Sequence, residues 1–108
     1  MYIYNTTFVV APELETELLE YLRNNLIPIL FGDNSRAMNP ELRKVVEAGG
    51  EKPGPEHGVS IALGASFFSE ESAYFWHDKI LMPALEGFHE KFGDQALFFI
   101  TLLENLSV

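Results

Sequence analysis

Val59-Ser60-Ile61-Ala62-Leu63-Gly64-Ala65-Ser66-Phe67 decides the fold. Bulky residues (Val59, Ile61, Leu63, Ala65, Phe67) alternate with small ones (Ser60, Ala62, Gly64, Ser66), a period of two that predicts a β-strand with one large and one small face. Immediately downstream, Ser69 followed by Glu70 and Glu71 forms an N-cap with acids in the first turn. It opens a helix whose inward stripe is Ala73, Trp76, Ile80, Ala84, Phe88 and Phe92. Pro83 and Gly87 fall within that stripe, so a kink or a split into two helices is expected. Gly93-Asp94 ends the helix, and Ala96 to Leu103 makes a last strand that is apolar on both faces and therefore needs cover on both.

Upstream, residues 2 to 10 are rich in Tyr, Ile, Thr, Phe and Val without a breaker, a strand closed by Ala11-Pro12. From Glu13 the period lengthens: Leu14, Leu18, Leu22, Leu26 and Ile29 form one helical stripe, with Pro28 expected to kink or end it. Glu13, Glu15 and Glu17 sit where the helix dipole favours negative charge. Gly32-Asp33-Asn34-Ser35 reads as a turn, Leu42-Arg43-Lys44-Val45-Val46 as a short strand suited to a sheet edge, and the Gly- and Pro-rich stretch from Ala48 to His57 as a loop. The order strand, helix, strand, strand, helix, strand predicts an α+β fold. It is the ferredoxin-like βαββαβ arrangement, a four-stranded antiparallel sheet with two helices on one face, as a single domain over residues 1–108. No internal repeat is expected beyond its pseudo-symmetry.

The chain has 108 residues, 7 Lys+Arg against 16 Asp+Glu for a net charge of −9, and no cysteine. This acidic balance would repel a phosphate backbone and an anionic lipid surface, so neither nucleic acid nor membrane is an expected partner. The lack of cysteine excludes thiolate catalysis and thiolate-ligated metal, and agrees with a cytoplasmic location. The N-terminus has no basic start before a long apolar run, and no apolar segment approaches the roughly 20 residues that span a bilayer.

Tyr4-Asn5-Thr6-Thr7, Ile27-Pro28, Gly58-Val59-Ser60, His89, and Phe92-Gly93-Asp94 running into Leu97-Phe98-Phe99 and Thr101-Leu102 together resemble the bacterial domain of unknown function 4286 family. The resemblance covers nearly the whole chain and is most specific in the C-terminal third. It implies a small cytoplasmic ferredoxin-like protein, of the dimeric α+β barrel kind, and supplies no activity. The loop from Gly49 to Pro55 is longer than the family's usual and leaves the second strand's register open.

Among chemistry-bearing residues, His77 and His89 lie 12 apart on one helix, roughly 120° around its axis, too divergent to grip one ion. No metal site and no cofactor motif is expected: there is no Walker loop, dinucleotide glycine fingerprint, nucleophile elbow or HExxH. His57 and His77 read as surface or core-edge histidines. His89 stands out because it flanks the apolar stripe within the family-like motif. Asn5 is an amide in mid-strand, where amides are depleted. Asn5, Trp76 and His89 are therefore the candidate pocket residues. They resemble the Asn, Trp and His set of cofactor-free or haem-degrading monooxygenases, although their spacing departs from that pattern.

The expected function is that of a non-enzymatic or ligand-sensing homodimer joined through its sheets, with a small-molecule ligand. The alternative is a small-molecule monooxygenase or isomerase of the dimeric barrel type, with Asn5, Trp76 and His89 around an internal pocket. A third class, a module accepting another protein's strand at the weak second strand, follows from that strand's edge position.

Overall fold

The computed structural model describes residues 1–46 and 58–107. The Gly- and Pro-rich stretch from Ala48, with His57, lies outside them. The strands are β1 (Tyr2–Val10), β2 (Met38–Lys44), β3 (Val59–Phe67) and β4 (Ala96–Glu104), hydrogen-bonded antiparallel in the order β2-β3-β1-β4. The ferredoxin-like α+β fold is as the sequence pattern predicts. One side of the sheet, the inner face, carries Tyr4, Thr6, Phe8 and Val10 of β1 with Ile61, Leu63, Ala65 and Phe67 of β3, all buried under the helices. Strand parity sends the intervening residues to the outer face.

The helices differ from expectation in one instructive way. The first column is a 3₁₀ turn (Pro12–Leu14), α1 (Glu15–Tyr21), a π turn (Leu22–Leu26) and α2 (Ile27–Leu30). The second is α3 (Glu70–Trp76), a π turn (His77–Leu81) and α4 (Met82–Phe92). Both prolines, Pro28 and Pro83, follow a π turn by two residues, and the helix runs on instead of breaking. A proline ring clashes with the carbonyl four residues back. Widening that turn moves the carbonyl away: the Ile27 amide bonds the Leu22 carbonyl and the Met82 amide the His77 carbonyl, each five residues back. Leu26-Ile27-Pro28-Ile29-Leu30 and Leu81-Met82-Pro83-Ala84-Leu85 are thus a short internal repeat in equivalent places of the two halves, which the sequence analysis did not anticipate.

The extra residue also moves the buried stripe. Leu30 is fully buried and Ile29 is 57% exposed, where the spacing had predicted Ile29 inward. In the second column the core takes Leu81 and Leu85, and Ile80 and Ala84 are only partly covered. Leu18, Leu22, Leu26 and Leu30 recur every four residues; each such step drifts about 40° on an α-helix, which a wider turn takes up. Ser69 does cap α3, its hydroxyl accepting the Ser72 amide at 3.1 Å.

Strand β2 begins at Met38, four residues before the predicted Leu42, and ends at Lys44. It includes Pro40, which an edge tolerates because its missing N–H faces no neighbour. Asn39 adopts a φ of 54°, and the register to β3 shifts between Met38 and Glu41. No helix among the described residues is long and apolar enough to cross a membrane.

Candidate functional site

Three places on this frame gather chemistry. The first lies where β1 passes under the start of the second π turn. Trp76 is fully buried, its indole N–H donating to the Leu30 carbonyl at 2.8 Å, so the end of one column is tied to the middle of the other. Tyr4 meets it edge-to-face, ring centroids 5.1 Å apart, and Phe67 and Phe31 complete the aromatic surround. Burial, with a smaller contribution from the Asp78 carboxylate, pushes the Tyr4 phenol up to about 12. Its hydroxyl is hydrogen-bonded to Nδ1 of His77, and Asp78 Oδ1 stands 3.9 Å from Nε2 on the solvent side. Tyr4 suits a hydrogen-bonding anchor better than a base, because the phenolate is disfavoured where it is buried.

The second place is a groove of about 530 Å³ between α4 and β4. Met82, Leu85 and Phe98 line it, and Glu86, His89 and Glu90 stand with them. The third is the outer face of the sheet. Directly paired residues make a polar row across its middle, Glu41, Gly64, Asn5 and Thr101. A Cβ on Gly64 would meet Asn5 Oδ1 at 3.2 Å and an Arg43 guanidinium nitrogen at 3.7 Å, so the glycine lets these two side chains lie flat on the sheet. Beside that row are Ile3, Thr7 and Val9 and the exposed Leu97, Phe99 and Leu103.

The candidates Asn5, Trp76 and His89 are consequently not brought together: Asn5 is on the outer face, Trp76 is in the core beneath the inner face, and His89 is on the solvent side of α4 at the groove. Parity accounts for the separation. The β1 residue that reaches Trp76 must share the orientation of Phe8 and Val10, which Tyr4 does and Asn5 does not. His77, read from sequence as a surface or core-edge residue, is the histidine that meets Tyr4, the ring packed on Trp76. Neighbourhood to Trp76 in the chain was the available signal. Thr6, fully buried on the inner face, has a hydroxyl without a hydrogen-bond partner among the described residues. Among those residues no group of three or more His, Asp or Glu could hold a metal ion.

A family model described as domain of unknown function (DUF4286) matches residues 1–106, and the chain belongs to that family. No curated protein matches it. Among solved structures, the chain is similar to the crystal structure of an ethyl tert-butyl ether D (EthD) family protein from Bacillus halodurans. The identity is 14% and the TM-score 0.67, over 98% of this chain and all of the other. That likeness is one of fold.

Proposed function

We propose that this DUF4286 member works in the cytoplasm as a homodimer joined through the outer sheet faces, and that it binds a small molecule without transforming it. The observation that carries the reading is the composition of the outer face. Its β4 side presents Leu97, Phe99 and Leu103, 59%, 59% and 44% exposed, and its β3 side presents the small Ser60, Ala62, Gly64 and Ser66. Large apolar side chains need cover, and small ones let another sheet approach closely. A twofold axis running along the strands sets the bulky half of one copy over the small half of the other, a self-complementary and closed assembly. The charge of −9 per chain opposes association, but among the described residues most acids lie on the helices, and Glu41, on the outer face, is paired with Arg43.

Binding without turnover is supported by the separation of Asn5, Trp76 and His89 and by a Tyr4 hydroxyl already engaged by His77. The cysteine-free sequence supports the cytoplasmic location.

Light scattering on the eluting protein at micromolar concentration tests the assembly. The expected mass is twice the 12.2 kDa chain, and Phe99→Lys should give single chains; a wild-type mass of 12.2 kDa would overturn the dimer. Titration with haemin, flavins and quinols, followed by Trp76 fluorescence, tests the ligand. A bound compound recovered chemically changed would replace binding with catalysis.

A further inference from the structure

On the solvent side of the two helical columns, Glu17, Glu20 and Tyr21 of α1, Asn24 and Asn25 of the first π turn, and Lys91 of α4 line a cleft of about 370 Å³. The first five follow one another at steps of three and four residues, so they share one face. From Glu17 to Asn25 that face extends about 12 Å along the column. Two features separate it from ordinary solvated helix surface. The Tyr21 ring is held by Phe88 and Phe92, with centroids 6.1 and 5.7 Å away, which fixes its hydroxyl in place. That hydroxyl, like the side chains of Glu20, Asn24 and Asn25, makes no hydrogen bond to another described residue. Opposite stands Gly87, inside α4, where a Cβ would meet the Tyr21 hydroxyl at 3.5 Å, an ordinary contact. Packing therefore admits an alanine at this position, and glycine in a helix interior is the less stable choice. What the glycine does provide is open access to the hydroxyl.

We infer that this cleft binds a linear polyamine, an extended chain carrying three amino groups. Charge selects a cation: Glu17 and Glu20 face a single lysine, Lys91, already paired with Glu17 at 3.2 Å, which leaves Glu20 without an ion pair among the described residues. Hydrogen bonding selects a ligand made of donors. The lining offers carboxylate, amide and phenol oxygens, each able to accept from an ammonium group. Length selects a chain, since the acceptors are strung along the column instead of converging on one point. An apolar body is the poorer fit, because the lining side chains are polar. The inference rests on the reading that the protein binds a small molecule, and not on the dimer, since the cleft lies across the helices from the outer sheet face.

The experiment titrates the full chain at low salt with spermidine, with 1-aminooctane and with sebacate, by calorimetry and by NMR. Spermidine binding should saturate below about 1 mM and weaken as salt is added. It should shift the side-chain amide signals of Asn24 and Asn25 and the backbone amide of Gly87. Tyr21→Phe, which keeps the ring against Phe88 and Phe92, and Glu20→Gln should each weaken binding about fivefold. Lys91→Gln releases Glu17 and should strengthen it. Gly87→Ala should weaken it without lowering the thermal unfolding temperature, which separates an occupied cleft from a packing role. Glu71→Gln makes the same charge change on α3 and should leave the affinity as it is. No saturation by spermidine, equal affinity for 1-aminooctane, binding of sebacate, or an equal loss in Glu71→Gln would each overturn the proposal. Haemin, a flavin or a quinol bound in that case would leave small-molecule binding standing at another place.

Discussion

Phe98 and Phe99 are consecutive, identical side chains on one strand, and they meet different surroundings: Phe98 is partly covered beside α4, Phe99 stands 59% exposed on the outer face. The same holds for the sheet as a whole. On the inner face every inward β1 and β3 side chain from Tyr4 to Val10 and Ile61 to Phe67 is under the helical columns; on the outer face the apolar Leu97, Phe99 and Leu103 of β4 stand exposed within the chain. Apolar sequence therefore does two jobs here. On the inner face it holds the monomer together, and on the outer face it is available for association, each in proportion to the area taken from water.

Removing the largest inner side chain should show the contrast most strongly. Trp76→Ala leaves a cavity and strands the Leu30 carbonyl, so it should cost about 3–5 kcal/mol in urea unfolding. A loss near 1 kcal/mol would mean the inner face is less tightly held than its burial implies.

A second effect is visible only in alkali. The folded pKa of Tyr4 is raised from 10.0 to about 12, so the native state holds this proton more tightly than the unfolded chain does. Its stabilising contribution is complete below pH 10 and is lost as the pH climbs from there to about 12, in total of order 3 kcal/mol. Stability measured across that range should fall in the wild type and fall less in Tyr4→Phe. Identical slopes would remove Tyr4 from the buried set.

Smaller and opposite in sign is Thr6→Val. It replaces a buried hydroxyl that has no partner among the described residues by a methyl of nearly the same shape, and should raise stability by about 1 kcal/mol. Destabilisation instead would show that the hydroxyl is satisfied in solution.

The smallest effect belongs to the outer face. Phe99→Ala should cost a dilute, single chain less than about 1 kcal/mol, yet should shift the dimer's midpoint toward higher protein concentration. If it costs as much as Trp76→Ala at every concentration, the two faces do not differ in the way described.

Much of this was legible in the residues. Alternation in Val59–Phe67 and the Ser69 cap located β3 and α3, and the element order implied the topology, because strand twist and short connections leave few ways to arrange it. The parity of Phe98 and Phe99 was equally readable. The grouping of the candidate residues was not legible: Asn5, Trp76 and His89 lie apart, and Trp76 packs against Tyr4, whose hydroxyl meets His77.

Periodicity is a local property, fixed by how each residue repeats along its own strand or helix, and so the sequence alone determined the elements, the strand faces and their order. Which residues meet across elements depends on the rotation of each helix over the sheet. A π turn ahead of Pro28 and of Pro83 resets that rotation by one residue, moving Leu30, Leu81 and Leu85 inward. No count at 3.6 residues per turn contains that step, so only the tertiary structure could bring His77 over Tyr4 and set Met82 and Leu85 beside Phe98 in one groove.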